Sequence, residues 1–486
     1  MFRQNKLSSL SLAVVLGAAL TAPAHAGTKQ PTASAEQPHP RLQPRLQARS
    51  AATRVQPAND MVSSLIVKFK RNTAGASLSR AQAMQQGAER AQRLAPVAAK
   101  SGLSISHTRQ LSIGADVFKL GRAISVAAAF RLAREMQRNN PDIAYAEPDV
   151  INRIMAVPTD PYYSMQWDMY EPVGGMNVER AWAITRGEGA VVAVLDTGVR
   201  AHPDLTPNLL PGYDFISNDS AGNDGDGRDA DPTDPGDDCG QGSSWHGTHV
   251  AGTVAAVADN GIGVAGVAPA AKVLPVRVLG KCGGSSADII DAMVWASGGT
   301  VSGVPDNANP ARVLNLSLGS AIPCLNSYRE AVAHVSKLGA LVVAAAGNES
   351  QNVRSAQPAS CPGVLAVSAT TRAGGRAYYS NYGSLVSLAG PGGETFEASD
   401  GILSTFNEGL SEPGADSYYF YQGTSMAAPH IAGLAALMLS VNPRLTSAQL
   451  RALMQQTARP FPSACAGCGA GIADAEAAVK AAQAAK

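Results

Sequence analysis

At 486 residues the chain is longer than one ordinary domain, and 45% apolar with 16% charged residues is a globular composition, which excludes a fibrous or wholly disordered protein. Forty-eight glycines against 5% aromatics call for many tight turns and a core of Ala, Val and Leu. The formal charge of +1 excludes a nucleic-acid polycation, but it hides a division: residues 1–155 carry 21 Lys/Arg against 8 Asp/Glu, and residues 156–486 carry 18 against 30. A basic part joined to an acidic part suggests two units that meet each other.

Arg3 and Lys6 precede an apolar run from Leu10 to Leu20, which is followed by Ala24-His25-Ala26. This is the pattern of a secretory signal peptide over residues 1–26, its apolar stretch too short to span a bilayer. The chain is therefore expected to be exported and to have no stable membrane anchor. Residues 27–60, rich in Pro, Gln, Ala and Arg, read as a linker. A strand is predicted over Ser64–Phe69, a helix over roughly 78–100, short strands near 103–110 and 115–120, a helix over Ala127–Met136 and a strand over Ile143–Ala146. The order β-α-β-β-α-β over about ninety residues suits a small ferredoxin-like α/β unit, followed by a linker from Ile151 to Asp160.

From about residue 178 short β-branched runs alternate with Ala-rich helices. Ala190–Leu195, Val273–Val278, Val313–Leu316, Leu341–Ala345 and Val364–Val367 are strands without polar alternation. Buried strands with helices between them imply a doubly wound, mostly parallel sheet covered on both faces. In such sheets function collects at the carboxyl ends of the strands.

Three motifs sit at positions of that kind. Val191-Val192-Ala193-Val194-Leu195-Asp196-Thr197-Gly198-Val199 is an apolar strand ending in a carboxylate. His246-Gly247-Thr248-His249-Val250-Ala251-Gly252-Thr253 opens a small-residue helix with a histidine, and Gly423-Thr424-Ser425-Met426-Ala427-Ala428-Pro429-His430 places a serine at the mouth of an apolar helix. Singly, each has a plain structural reading as a turn, a metal pair or a helix cap. Together they supply what acyl transfer needs: a serine oxygen, an imidazole to take and return its proton, and a carboxylate to fix the tautomer. Ala344-Ala345-Ala346-Gly347-Asn348 ends another strand with an amide suited to donate to an oxyanion. A zinc hydrolase built on His246 and His249 would need HExxH or a third ligand, and both are missing from the sequence.

All six cysteines, Cys239, Cys282, Cys324, Cys361, Cys465 and Cys468, lie after residue 155. An even number in an exported protein implies disulfides, with fifteen connectivities open to the sequence alone. Cys465-Ala-Gly-Cys468 also has redox or zinc spacing, but no second CxxC stands near it. Pairing in chain order is the expectation: Cys239–Cys282, Cys324–Cys361 and Cys465–Cys468.

The order Asp…His…Ser, with DTGV, HGTHVAGT, AAAGN and GTSMAAPH, resembles the subtilisin family of serine endopeptidases. The resemblance implies that Asp196 orients, His246 is general base and acid, Ser425 is the nucleophile, and Asn348 with the Ser425 N–H forms the oxyanion hole. It assigns no catalytic part to His249 or His430. It implies that a peptide lies as an extended strand between Gly283-Gly284-Ser285 and Ser317-Leu318-Gly319, with Ala345, Ala346 and Gly347 lining an open pocket for the residue before the cut. Calcium is the implied ion. Its strong site in related proteases matches Asp160, Asp204 and the loop Val257–Val264, with Asn260 and the carbonyls of Val257, Ile262 and Val264. Asp224-Gly225-Asp226-Gly227-Arg228-Asp229-Ala230-Asp231 resembles the start of an EF-hand without its final Glu. Seven carboxylates between 224 and 238 repel one another unless a cation sits among them, so Asp224, Asp226, Arg228, Asp229 and Asp231 are expected to form a second calcium site, the alternative being a solvated acidic loop.

Residues 61–155, notably Ala144-Tyr145-Ala146-Glu147-Pro148-Asp149, resemble the family's inhibitory propeptide and intramolecular chaperone, and 156–486 its protease domain. The expectation is a secreted monomeric endopeptidase, made as an autoprocessed zymogen, acting on proteins and peptides through an acyl-enzyme. Its partners would be its substrates and its own propeptide, with no nucleic acid.

Overall fold

The computed structural model describes residues 61–70, 80–149 and 158–485. The expected signal peptide and the 27–60 linker lie outside the described residues, as do residues 151–157 of the expected Ile151–Asp160 linker.

The N-terminal unit runs β1 (Met61–Phe69), α1 (Arg80–Lys100), β2 (Ile105–Gln110), β3 (Asp116–Ser125), α2 (Val126–Asn139) and β4 (Ile143–Pro148). The sheet order is β2-β3-β1-β4 with every neighbour antiparallel, the ferredoxin-like arrangement the element order suggests. Along β1 the period of two puts Leu65, Val67 and Phe69 inside, where they meet Leu94 and Val97 of α1 and Leu132 and Met136 of α2. β3 runs past the predicted Leu120 because Ile124 and Ser125 continue the ladder beyond a register shift in β1, pairing with Val62 and Met61.

The second unit is built on a seven-stranded parallel sheet: β5 (Val191–Asp196), β6 (Tyr213–Asp214), β7 (Lys272–Arg277), β8 (Val313–Leu316), β9 (Leu341–Ala345), β10 (Leu365–Thr370) and β11 (Val386–Pro391). Its order is β11-β10-β9-β8-β5-β7-β6. Side chains alternate between two cores. Val192 and Val194 face α3 (His246–Ala255), α6 (Thr424–Val441) and α8 (Ala475–Ala484). Ala193 and Leu195 face α4 (Ser286–Ala296) and α5 (Asn326–Lys337). Because both faces are covered, the strands read as unbroken apolar runs. α6 is apolar around its whole circumference for the same reason: it passes through the core, with 83% of its span buried. α7 (Ser447–Thr457) and an antiparallel hairpin, β12 (Ile402–Asn407) with β13 (Asp416–Tyr421), complete the unit.

β5 is flanked by β8 on one side and β7 on the other, so the chain winds outward in both directions from it. The carboxyl end of β5 is thus the topological switch point, where an open α/β sheet leaves a crevice. Asp196 is the last residue of β5.

Candidate active site

Asp196 is fully buried, and its Oδ1 accepts the Thr197 N–H at 2.8 Å. The same oxygen lies 2.7 Å from Nδ1 of His246, whose side chain keeps 21% of its exposure. α3 approaches the end of β5 this closely because its second residue is glycine. A Cβ on Gly247 would stand 2.1 Å from the Gly198 carbonyl oxygen and 3.1 Å from the Asp196 Cβ. Burial pulls the imidazole pKa down, but the charge and hydrogen bond of Asp196, followed by Asp237 and Asp234, outweigh it and hold the group above its ordinary 6.5.

Ser425 lies in the first turn of α6. Four residues on is Pro429, which has no N–H to give the Ser425 carbonyl. The Ser317 hydroxyl donates to that carbonyl instead, at 2.7 Å, and is itself held by Asn315 Nδ2 at 3.0 Å. The Ser425 hydroxyl returns the contact, donating to the Ser317 carbonyl at 3.1 Å. Among the described residues there is no Ser425–His246 hydrogen bond, so the hydroxyl must turn from Ser317 to meet the imidazole.

Asn348 follows β9. Its Oδ1 accepts both the N–H of Thr424 at 2.9 Å and its hydroxyl at 2.8 Å, while Thr424 Oγ1 accepts the Gly347 N–H at 3.1 Å. With the amide oxygen bound twice, Nδ2 is turned outward as a donor. The Ser425 N–H, at the start of an 18-residue helix, has no partner among the described residues. Two free donors at the positive end of a helix dipole favour a developing oxyanion.

The two other histidines of the motifs, His249 and His430, are held within the fold. His249 is fully buried, with Nε2 3.0 Å from the Tyr419 carbonyl and 3.1 Å from that of Ile402. Burial drives its pKa down to about 3, so it stays neutral and donates through Nε2 to carbonyl oxygens, Nδ1 having no partner among the described residues. His430 is held between the Met426 carbonyl and Asp168, both it and Asp168 fully buried.

Two of the expected substrate segments touch the residues of this centre, Ser317 at Ser425 and Gly347 at Thr424. Ser317, Leu318 and Gly319 leave the end of β8, and Ala345, Ala346 and Gly347 lead from β9 to Asn348. Gly283 and Gly284 precede Ser285, whose hydroxyl caps α4 by accepting the Asp288 N–H at 3.1 Å. The three disulfides are Cys239–Cys282, Cys324–Cys361 and Cys465–Cys468, the first tying the segment before α3 to the Gly283 edge.

Asp160 and Asp204 are both buried and lie on either side of the 257–264 loop. The N–H groups of Asp259 and Asn260 donate to Asp160, and Asn260 Nδ2, the Val264 N–H and the Tyr418 hydroxyl donate to Asp204. The Val257 N–H bonds the Asp204 carbonyl, and Asn260 Oδ1 accepts the Ile262 N–H. Burial pushes Asp160 up to about 6 and Asp204 to about 7. Two buried carboxylates beside a carbonyl-bearing loop are donors of the oxygen chemistry a hard cation prefers, though each carboxylate oxygen here is taken by an N–H or O–H group and Asn260 offers Asp204 its Nδ2.

The acidic segment does not assemble the expected second site. Asp224 pairs with Arg277, Arg228 reaches Asp288 and Asp291 at 2.6 and 2.8 Å, and Asp226 is exposed. Asp229 and Asp231 turn back onto the N–H groups of Asp231 and Thr233. Salt bridges and turn hydrogen bonds therefore disperse the repulsion that suggested a cation, and no group of three or more His, Cys, Asp or Glu able to hold a metal exists among the described residues.

Sequence reasoning overlooked Thr424, Asn315 and the structural part of Ser317. A signal for the last was present: a proline four residues after the serine leaves its carbonyl without a helical donor.

The subtilase family pattern, peptidase S8, matches residues 187–479. The chain is 46% identical over 418 residues to an extracellular protease of Xanthomonas campestris pv. campestris, covering 84% of this chain and 71% of that protein. It is 43% identical over 402 residues to an extracellular basic protease of Dichelobacter nodosus, covering 78% of this chain and 65% of that protein. A solved protease structure from Pseudoalteromonas arctica PAMC 21717 aligns with a TM-score of 0.66 at 54% identity, over 67% of this chain and 100% of the other. The chain belongs to the subtilase family and is a subtilisin-like serine endopeptidase.

Proposed function

We propose that this is a secreted endopeptidase, matured from a zymogen, in which Asp196, His246, Ser425 and Asn348 carry peptide-bond hydrolysis through an acyl-enzyme. The observation that carries the reading is the 2.7 Å contact between the buried Asp196 carboxylate and His246 Nδ1. With Nδ1–H fixed by Asp196, His246 Nε2 is left free to accept the Ser425 proton as Oγ attacks the scissile carbonyl. The oxyanion falls to the Ser425 N–H and Asn348 Nδ2. His246 then gives its proton to the leaving amine, and a water activated by the same imidazole releases the acid.

The resting contact of Ser425 on the Ser317 carbonyl gives substrate a second role. A peptide N–H that takes this carbonyl, as an extended strand along Ser317–Gly319 would, frees the hydroxyl to turn to His246. Because the base works only when neutral and its pKa is raised, kcat/KM should fall on the acid side with a midpoint above 6.5.

Asn348→Ala should lower kcat on the order of 10²–10³-fold with little change in KM, a size borrowed from removal of the equivalent amide in subtilisin. Steady-state kinetics on a peptide anilide tests this reading, and an unchanged kcat would refute the oxyanion assignment.

Residues 61–155 are proposed as the inhibitory propeptide, their basic charge complementing the acidic protease domain. Export follows from the N-terminal pattern and agrees with the extracellular naming of both relatives. Calcium would be held by Asp160, Asp204, Asn260 and carbonyls of Val257, Ile262 and Val264, supplying countercharge and no chemistry. A ligand bound by the folded state alone stabilises by about 4 kcal/mol at a thousand-fold excess over Kd. Chelator should leave the initial rate nearly unchanged and shorten the half-life at elevated temperature, and Asp204→Ala should do the same and make chelator redundant. Equal wild-type half-lives with and without calcium would remove this assignment.

A further inference from the structure

The acidic segment ends in two aspartates whose partners lie next to the catalytic pair. Asp234 is 1% exposed, and its Oδ2 accepts the hydroxyl of Thr197, the residue after Asp196, at 2.7 Å. Its Oδ1 is fixed by the Gly236 N–H at 2.9 Å. Thr197 Oγ1 in turn accepts the Gly247 N–H at 3.0 Å. Asp237 makes the parallel arrangement one residue earlier. It accepts the hydroxyl and the N–H of Ser244, both at 2.6 Å, and Ser244 Oγ accepts the His246 N–H at 3.3 Å.

The first N–H groups of a helix have no carbonyl within it to bind and are ordinarily capped by the side chain just before it. Here that position is Trp245, in left-handed conformation (φ +48°) and without a capping side chain. The first two N–H groups of α3, on His246 and Gly247, are taken instead by two hydroxyls from outside the helix, each held by a carboxylate.

We infer that Asp234 and Asp237 are positioning residues for the general base, capping the first turn of α3 through Thr197 and Ser244 and so holding His246 against Asp196. The inference rests on His246 being that base. The anchors join both halves of the pair, since Thr197 is bonded to the Asp196 strand and Ser244 to the His246 turn. Charge adds to geometry. The groups facing His246 are Asp196, Asp237 and Asp234, with His249 on the same helix kept neutral by burial. Arg200 also reaches this corner, but its guanidinium donates to the Asp234 backbone carbonyl. When the imidazolium forms during attack, two carboxylates beyond Asp196 lie at the start of its helix. A neutral acceptor would cap the helix equally well without that stabilisation.

The test is the pH profile of kcat/KM for Asp234→Asn, Asp237→Asn and the double variant in the mature enzyme, with active sites counted by fluorophosphonate titration. Asparagine removes the charge and keeps one acceptor oxygen in place of two, so one N–H or O–H donor at each aspartate loses its partner. Losing a negative charge lowers the histidine pKa, so the acid limb should move down by about half a pH unit in Asp237→Asn. Burial pushes the Asp234 carboxyl up to about 7, so it is largely protonated across that limb and Asp234→Asn should move it less. kcat per titrated site should fall roughly tenfold while KM stays within about twofold. Thr197→Val and Ser244→Ala should lower kcat similarly, and Thr197→Ser should retain most of it. An unmoved acid limb in all three aspartate variants would overturn the inference, whether or not fewer sites titrate. So would kcat equal to wild type in Thr197→Val and Ser244→Ala. Either result leaves the triad reading standing, which fails separately if His246→Ala keeps near-wild-type kcat.

Discussion

Ser425→Ala should lower turnover on the order of 10⁶-fold, the size found on removing the nucleophile of subtilisin and borrowed from that enzyme. The substitution removes one oxygen and little else. Among the described residues Ser425 Oγ makes a single hydrogen bond, to the Ser317 carbonyl, while the Ser317 hydroxyl stays on the Ser425 backbone carbonyl, which alanine retains. Asn348 remains oriented by Thr424, so the oxyanion donors survive and account for the residual rate over water. Fold and substrate affinity should be unchanged. If maturation is the enzyme's own first cut, the same variant should accumulate as a precursor retaining residues 61–149. Single-turnover hydrolysis and the mass of the purified protein read both results. Normal processing of the pure variant would argue against self-cleavage, and near-normal turnover would argue against Ser425.

Asp196→Asn should cost about 10⁴-fold in kcat with KM little changed. Asp196 Oδ1 sits 2.7 Å from His246 Nδ1 and also accepts the Thr197 N–H. If the asparagine NH₂ takes the place of Oδ1, it can donate to Nδ1 but can accept neither the ring N–H nor the Thr197 N–H. The ring then presents Nδ1 as acceptor and carries its proton on Nε2, the nitrogen that must receive the serine proton. Loss of the charge also removes the main force raising the imidazole pKa, so the remaining activity should have its acid limb at lower pH than the parent. A pH series of kcat/KM measures both effects. Retention of more than about a tenth of wild-type kcat would contradict the orienting role.

The parts legible in the sequence are those whose partners are main chain or whose surroundings are uniform. β8 and β9 were predicted to the residue because every position in them is buried. Asp196, His246, Asn348 and Ser425 stand at element ends, each inside a run of small residues that permits close approach. β11 was missed; it is last in the sheet order, its outer edge is bridged at Ala389 by the 470–473 segment, and Pro391 stands at its end, where proline is tolerated. The β12–β13 hairpin was missed because Asp416–Tyr421 shows no alternation. Its place is fixed by Phe406 stacking on Tyr419 and by Ser404 and Thr405 bonding the α3 carbonyls of His249 and Thr248.

The acidic segment shows the limit most clearly. Its spacing is the same whether the carboxylates surround a cation or bind their own backbone and distant arginines. The deciding partners, Arg277 for Asp224 and Asp288 and Asp291 for Arg228, belong to β7 and α4, far along the chain. The Thr197–Asp234 contact is equally invisible, because it joins the end of β5 to a loop 37 residues later.

The most direct measurement is the site of covalent labelling by a fluorophosphonate in the mature enzyme, located by peptide mass spectrometry and followed against pH. The result expected is one label per active molecule, on Ser425, with loss of hydrolysis in proportion and a labelling rate that falls on the acid side with a midpoint above 6.5. A label on another residue, or full hydrolysis with Ser425 modified, would contradict the account.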